Sequence, residues 1–204
     1  MAVTRGFKGK RRDGGGRERV PPGQYVTSDF PVLTAGTTQR TPLERWSLEL
    51  QHGSQVLAKW GWKEFAALPQ SVRTTDIHCV TKWSKFDTRW RGVTFDDLMK
   101  AAGLAAAPDM YVMAHSDGGY TTNLPVADLM EGKAMIATHY DNLPLPQSHG
   151  GPARLLVPHL YFWKSAKWVR RLVFMQENTP GFWESLGYHI HGDPWREQRY
   201  TDDP

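Results

Sequence analysis

The chain has 204 residues, 40% of them hydrophobic, which is enough for one sizeable domain with a buried core. No segment approaches the roughly 20 consecutive apolar residues that a membrane-spanning helix needs. Residues 1–20 hold seven Lys or Arg against two acidic residues, a net charge of +5, whereas the whole chain carries +4. The basic character therefore belongs to the first residues, and we do not expect the rest of the chain to bind nucleic acid.

Residues 1–22 are predicted to form a disordered basic tail, and residues 23–204 a single domain. The tail is rich in Gly and Arg and contains almost no large apolar residue. Arg11 and Arg12 resemble a twin-arginine export signal, but Asp13 and three glycines follow where such a signal requires an apolar stretch. We therefore expect a cytoplasmic protein.

The elements predicted in chain order are mostly short strands with a few helices between them. They are strands at 45–50 and 55–60, a helix at 63–68, a strand at 76–80, a helix from 94 to 103, strands at 111–115 and 134–139 around a short helix at 125–130, and strands at 155–158 and 169–176. Thr94, with Asp97 three residues later, is typical of a helix N-cap, and Gly103 of a helix end. Short strands joined by long loops predict a mixed α+β domain.

The single cysteine, Cys79, lies in the run Asp-Ile-His-Cys-Val-Thr-Lys-Trp-Ser that spans residues 76–84. One thiol forms no intramolecular disulfide and does not build a structural zinc site by itself. Three roles remain open, which are a buried inert thiol, a nucleophile, and a single thiolate ligand to a metal that a cofactor carries. His78 precedes it on a predicted strand and should point the opposite way, so we interpret His78 as structural.

Three motifs resemble those of molybdenum enzymes with the sulfite oxidase fold, in the same order and spacing. The pattern Cys-Val-x-x-Trp-Ser at residues 79–84 is most similar to the periplasmic methionine-sulfoxide reductase branch. The run His-Gly-Gly-Pro-Ala-Arg-Leu at 149–155 is similar to the cofactor loop of the family, and Ser-Ala-Lys-Trp at 165–168 to the segment that follows that loop. The resemblance covers residues 24–200 and implies a sulfite oxidase-like molybdopterin-binding α+β fold with mixed sheets.

The resemblance implies that Cys79 binds molybdenum held by a molybdopterin. It implies that His149 and Arg154 hold the pterin and its phosphate, for which a planar guanidinium is well suited. Tyr188 follows Trp183 by five residues, as the substrate-site tyrosine of sulfite oxidases follows a tryptophan, and is implied as a catalytic hydroxyl. Further cofactor contacts are implied at Thr27, Ser28, Asp29 and Phe30, at Ser116 and Asp117, and at Ser165, Ala166 and Lys167.

The chain also departs from the family pattern. Sulfite oxidases carry substrate-binding arginines on the N-terminal strand and five residues after the cysteine, and this chain has Thr27 and Ser84 at these positions. We therefore predict oxygen-atom transfer by two-electron reduction of a small-molecule S- or N-oxide. His189 and His191 alternate on a possible strand, but two histidines without further ligands predict no metal site.

Three alternatives stay open. They are a sulfite or other anion oxidase of the same fold, a non-enzymatic module recruited through the basic tail, and an enzyme with a cysteine nucleophile. The family's haem and dimerisation domains have no counterpart in this sequence. We therefore expect a monomer that exchanges electrons with a separate partner.

Overall fold

The computed structural model describes residues 17–105 and 107–204 and contains, within these residues, eleven strands and two α-helices. The strands are β1 Tyr25–Val26, β2 Ser47–His52, β3 Gln55–Gly61, β4 Ser71–His78, β5 Trp83–Thr94, β6 Tyr111–Ser116, β7 Thr121–Pro125, β8 Met135–Tyr140, β9 Leu143–Pro144, β10 Arg154–Leu156 and β11 Val169–Met175. The helices are α1 Trp62–Ala66 and α2 Phe95–Ala102. Short 3₁₀ turns lie at Arg17–Arg19, Leu43–Arg45, Asp117–Gly119, Val126–Asp128, Gln147–His149, Phe162–Lys164 and Glu184–Leu186.

The strands form two mixed sheets. In the first sheet the order is β1-β5-β8-β10, with β4 also paired to β5 and β9 to β8. The second sheet has the order β3-β2-β11-β6-β7. The pairs β1–β5 and β2–β11 are parallel, and the other pairs in both sheets are antiparallel. The predicted α+β class with mixed sheets and few helices is confirmed.

Several local predictions agree closely with the structure. The hairpin β2–β3 turns at Gly53, whose φ of 58° lies in the left-handed region that glycine adopts without strain. At the start of α2 the Thr94 hydroxyl accepts a hydrogen bond from the Asp97 backbone N–H at 3.1 Å. Gly103, with φ 66°, ends the same helix. These features depend on residues that are close together in the sequence.

The longest strand, β5, has no counterpart among the predicted elements, and β7 has none either. In β5 the side chains of Asp87, Arg89 and Arg91 are exposed, whereas those of Thr88 and Trp90 are buried. This alternation is the local signal that identifies a half-buried strand. The helix predicted at 125–130 is only a 3₁₀ turn. The strand predicted at 76–80 is the end of β4, and Cys79 lies one residue beyond it.

Two apolar clusters stabilise the domain. The larger one joins both sheets and both helices through residues such as Leu48, Phe65, Val93, Leu98 and Val112. Each large apolar side chain that is fully buried contributes roughly 1.5–3 kcal/mol. The smaller cluster is built on the first sheet and includes Ile77, Cys79, Trp83, Trp90, Met135, Ala137, Leu145 and Leu156. Cys79 therefore belongs to a packed region that holds the end of the β4–β5 hairpin in place.

Most of the predicted basic tail lies outside the described residues. In its described part, Arg19 donates hydrogen bonds to Asp76 at 2.8 Å and to Asp87 at 2.7 Å, and its guanidinium lies 4.3 Å from the centroid of the Phe86 ring. The boundary at residue 22 stays a prediction. Neither α-helix in the described part of the chain has the length and apolar character that a bilayer crossing requires.

Candidate functional site

A cavity of about 580 Å³ opens beside the tip of the β4–β5 hairpin. Its other walls are the irregular segment 30–39, the loops around residues 149 and 165, and the C-terminal residues 182–188. Eight of the predicted site residues line it, namely Phe30, Cys79, Asp117, His149, Arg154, Ser165, Lys167 and Tyr188. The remaining five, Thr27, Ser28, Asp29, Ser116 and Ala166, are not among its lining residues.

Cys79 lies at the hairpin tip and is only 7% exposed. The Thr81 hydroxyl donates a hydrogen bond to its Sγ atom at 3.1 Å. Burial raises the pKa of the thiol, and the Thr81 hydrogen bond and the charges of Arg199 and Lys167 oppose that rise. The sulfur is therefore an enclosed, protonated thiol, and a thiol that coordinates a metal gives up this proton.

The loop that carries His149 is packed tightly against its neighbours. A side chain at Gly151 would bring a Cβ within 2.1 Å of the Leu145 carbonyl oxygen, and one at Gly150 within 3.0 Å of Lys167. The two glycines thus allow close approach to other protein segments. Burial, followed by the charges of Arg154 and Lys167, lowers the pKa of His149 to about 4. The imidazole is neutral at neutral pH.

Arg154 is 1% exposed and joins two walls of the cavity. Its Nη1 donates to the His149 carbonyl at 2.9 Å and its Nη2 to the Ser165 carbonyl at 2.6 Å. The guanidinium carbon lies 4.1 Å from the centroid of the Phe162 ring. Burial lowers the pKa of Arg154 to about 9, so the group remains a cation at neutral pH. Within residues 17–105 and 107–204 no carboxylate pairs with this charge, and a cation surrounded by carbonyl dipoles and aromatic faces favours an anionic ligand.

Lys167 connects the loop at 165–168 to two other parts of the cavity. Its ammonium donates to the Leu33 carbonyl at 2.7 Å and to the Ser148 carbonyl at 2.6 Å. Burial and the charge of Arg154 lower the pKa of Lys167 to about 7, and Cys79 acts in the opposite direction. The Lys167 amine thus links the segment 30–39 to the predicted cofactor loop, and its pKa is unusually low for a lysine.

Aromatic side chains form one wall of the cavity. The Tyr188 ring packs against Trp163 and Trp183, with centroid distances of 5.2 and 5.1 Å. Tyr120 and Phe182 extend this wall, and their ring centroids are 5.9 Å apart. Burial raises the pKa of Tyr188, and the charges of Tyr200 and Cys79 add to the rise. Among the described residues no hydrogen bond reaches the Tyr188 hydroxyl, so it is available to a ligand.

The predicted residues outside the cavity make other contacts. The Thr27 hydroxyl accepts a hydrogen bond from the Asp29 backbone N–H at 3.0 Å, and the Ser28 carbonyl accepts one from Lys85 at 2.6 Å. Ser116 Oγ is buried without a hydrogen-bond partner among the described residues. Ala166 packs in the larger apolar cluster. Each of these five residues lies within three positions of a cavity-lining residue in the sequence, but none of them lines the cavity itself.

Two other residues named in the sequence analysis already have partners within the protein. His78 Nδ1 is 2.9 Å from Ser84 Oγ, and both side chains are buried. Asp117 lines the cavity but is already paired, because Arg170 donates to it at 3.1 Å and the Thr41 hydroxyl at 2.5 Å. Its contact with a cofactor would therefore compete with an existing ion pair.

A buried ion pair behind the aromatic wall was not expected from the sequence. Lys164 Nζ lies 2.6 Å from Glu184 Oε1, and both side chains are 1% exposed. Trp163 Nε1 donates to the same carboxylate oxygen at 2.9 Å. The pair thus fixes a tryptophan of the cavity wall. No local sequence signal identifies it, since its members are brought together only by tertiary folding.

The chain is similar to known oxidoreductases and matches a family model. Residues 35–183 match the family model described as oxidoreductase molybdopterin binding domain. The uncharacterized oxidoreductase YuiH of Bacillus subtilis (strain 168) is 42% identical over 198 residues, which cover 97% of this chain and 100% of that protein. The putative protein-methionine-sulfoxide reductase subunit YedZ1 of Azospira oryzae is 28% identical over 176 residues, which cover 85% of this chain and 66% of that protein.

A solved structure has a similar fold. The sulfane dehydrogenase SoxCD from Paracoccus pantotrophus matches with a TM-score of 0.59 and 19% sequence identity. The match covers 69% of this chain and 40% of the SoxCD chain. At this identity the likeness concerns the fold, and function is argued from the site.

Proposed function

The chain belongs to the oxidoreductase molybdopterin binding domain family, and on that premise we propose that it catalyses the two-electron reduction of a small S- or N-oxide. The resemblance found in the three sequence motifs is confirmed. The protein is an oxidoreductase with the sulfite oxidase-like fold, and it depends on molybdenum and molybdopterin. The substrate and the roles of individual residues are parts of the proposal.

The cavity fits such a cofactor in size, charge and donor chemistry. Its volume of about 580 Å³ is within the usual range for cofactor sites. Arg154 contributes a cation to the wall, and Lys167, whose pKa is about 7, contributes an amine that a bound phosphate would keep protonated. Both groups suit a phosphate. His149 Nδ1 is buried and has no hydrogen-bond partner among the described residues. In the proposal Cys79 is the soft sulfur ligand of the metal, and His149, Arg154, Ser165 and Lys167 surround the pterin.

When bound, the cofactor supplies the two-electron redox change and the exchange of an oxygen atom. The overall reaction consumes an oxide R₂SO, two electrons and two protons, and it releases R₂S and water. For an N-oxide the products are the amine and water. The contribution of the chain is to hold the oxide beside Cys79 and to supply a hydrogen bond to its oxygen.

The observation that carries the choice of a neutral oxide is the aromatic wall of the cavity. Trp163, Trp183 and Tyr188 offer apolar faces to the alkyl groups of a substrate. Sulfite oxidases gather arginines around an anionic substrate, whereas Thr27 and Ser84 occupy those two positions here and both are buried outside the cavity. This arrangement supports a neutral oxide over the alternative of sulfite.

The deciding experiment compares substrates on the purified holoprotein. A reduced viologen dye serves as electron donor for a dialkyl sulfoxide and a trialkylamine N-oxide, and sulfite is assayed separately with an artificial acceptor. We expect turnover of at least one oxide and none of sulfite. The Cys79→Ser variant should lose activity even where pterin remains, because a hydroxyl is a harder ligand than a thiolate. Turnover of sulfite without turnover of either oxide would favour the anion oxidase instead.

Tyr188 is proposed as the group that donates a hydrogen bond to the substrate oxygen. Tyr188→Phe should then lower kcat by about 10²-fold, the lower end of what proton-donating side chains contribute. Tyr200→Phe is the matched control, because this tyrosine packs 5.8 Å from Tyr188 and is 57% exposed. An unchanged kcat in Tyr188→Phe would assign the residue to packing alone.

The proposal also includes a cytoplasmic monomer that receives its electrons from a separate donor. Cell fractionation tests the location, and light scattering of the purified protein tests the monomer. A donor that reduces the holoprotein faster than the viologen dye would identify the partner class.

A further inference from the structure

We propose that Thr81 is a positioning residue that orients and polarises the Cys79 sulfur, and that it raises the reduction potential of the metal that this sulfur binds. The inference rests on the proposed function, because it requires molybdenum on Cys79. Its observation is the hydrogen bond from the Thr81 hydroxyl to Cys79 Sγ, 3.1 Å long. In the motif Cys-Val-x-x-Trp-Ser, Thr81 occupies one of the two unspecified positions.

The backbone around this contact is fixed from within the hairpin. The Cys79 N–H donates to the Trp83 carbonyl at 2.8 Å, and the Lys82 N–H donates to the Cys79 carbonyl at 2.9 Å. Lys82 has a φ of 76°, in the left-handed region that non-glycine residues adopt only where the surroundings require it. These bonds close a tight turn that contains Thr81, so the backbone that carries its hydroxyl is fixed next to the sulfur.

Two side chains from other segments fix the same turn from outside. Arg199 Nη1 donates to the Val80 carbonyl at 2.7 Å, and Gln24 Nε2 donates to the Cys79 carbonyl at 3.1 Å. Arg199 is itself buried, with its guanidinium 4.9 Å from the centroid of the Tyr161 ring. Gln24 and Arg199, which come from opposite ends of the domain sequence, thus both donate hydrogen bonds to the turn that contains Thr81.

The chemical effect follows from the direction of the hydrogen bond. A hydroxyl that donates to a metal-bound thiolate withdraws electron density from the sulfur, and hydrogen bonds to sulfur ligands are known to set reduction potentials. The reduced metal places more negative charge on its ligands, so the hydrogen bond stabilises the reduced state more than the oxidised one. Thr81 should therefore make the bound metal easier to reduce, which favours a reductase.

The test compares Thr81→Val with Thr81→Ser. Valine matches threonine in shape but lacks the hydroxyl, whereas serine keeps it. Thr81 is exposed at the cavity edge, so neither change leaves a hole in the core. In each holoprotein the molybdenum and pterin contents are measured, the reduction potential of the metal is determined by EPR-monitored titration, and the sulfur-to-molybdenum charge-transfer band is recorded.

We expect Thr81→Val to shift the potential to lower values and the band to lower energy, because the sulfur becomes more electron-rich. Thr81→Ser should match the parent in both. Loss of metal from Thr81→Val alone would also support an action of the hydroxyl on the sulfur. Unchanged values in Thr81→Val, or equal changes in both variants, would overturn the proposal. A parent protein without molybdenum would instead contradict the proposed function itself.

Discussion

The Phe30 ring lies flat on the imidazole of His149, with ring centroids 3.9 Å apart and ring planes inclined by 13°. This contact joins the N-terminal segment to the loop predicted to hold the pterin. Phe30 also approaches Trp90 and Phe162, at 6.0 and 5.9 Å between centroids. One aromatic side chain from an irregular segment thus lines the cavity and packs on three other aromatic rings.

Phe30→Ala should reduce the pterin released per chain several-fold, because the stacked partner of His149 and part of the cavity wall are lost. Phe30 is only half-buried, so we expect a stability loss of about 2 kcal/mol, below the range for fully buried phenylalanines. Pterin fluorescence after denaturation and thermal unfolding measure the two effects. Val32→Ala is the control, since Val32 is 49% exposed and does not line the cavity. Equal pterin content in both variants would contradict the prediction.

Arg154→Ala should lower both pterin content and stability. The change leaves the buried carbonyls of His149 and Ser165 without their donors, and each such loss costs about 1–3 kcal/mol. Arg154→Lys keeps the charge but lacks the planar guanidinium that reaches both carbonyls, so its loss of stability should be intermediate. Urea unfolding of the parent and the two variants gives the order of their stabilities. If Arg154→Ala unfolds at the urea concentration of the parent, the guanidinium acts on the cofactor alone.

Lys164→Met should destabilise the protein by about 3–5 kcal/mol, because it leaves the Glu184 carboxylate buried without its counter-charge. Adding Glu184→Gln should recover part of this loss, since an amide keeps the hydrogen bond from Trp163 and carries no charge. Urea unfolding of the parent, both single variants and the double variant forms a complete cycle. Additive losses in the double variant would show that the two side chains are not coupled.

The contact between His191 and Asp128 should contribute to stability in a pH-dependent way. Its Nε2 lies 2.8 Å from Asp128 Oδ2, and His159 Nε2 lies 3.2 Å from Asp128 Oδ1. The hydrogen bond with Asp128 raises the pKa of His191 above 6.5, although burial opposes it. Burial raises the pKa of Asp128, but the two histidine contacts outweigh it and leave the pKa below 3.8.

The sign follows from these two directions. The contribution of His191 is complete below about pH 6.5 and is lost as the pH rises through its raised pKa, and that of Asp128 is lost as the pH falls below about 3.8. His191→Gln should therefore cost up to about 1 kcal/mol at pH 5.5 and less at pH 8.5, since the pair is partly exposed. Urea unfolding at both pH values tests this, with the exposed His52→Gln as control. A larger loss at pH 8.5 would reverse the predicted sign.

The sequence by itself determined features that depend on neighbouring residues. The helix from Thr94 to Gly103 was identified from its two ends, and strands β2 and β3 correspond to the strands predicted at 45–50 and 55–60. Cys79 was recognised from its type and its immediate neighbours. Hydrogen bonds of a cap or a turn link residues only a few positions apart, so their chemistry is visible in the sequence.

Tertiary structure alone decided which side chains form the cavity. The stack of Phe30 on His149 and the Lys164–Glu184 pair behind Trp163 both join residues that are well separated in the chain. Ser116 and Ala166 stand beside lining residues in the sequence and yet lie outside the cavity, because the backbone turns each side chain to its own surroundings. Contacts between distant segments depend on how the two sheets pack, which no local pattern encodes.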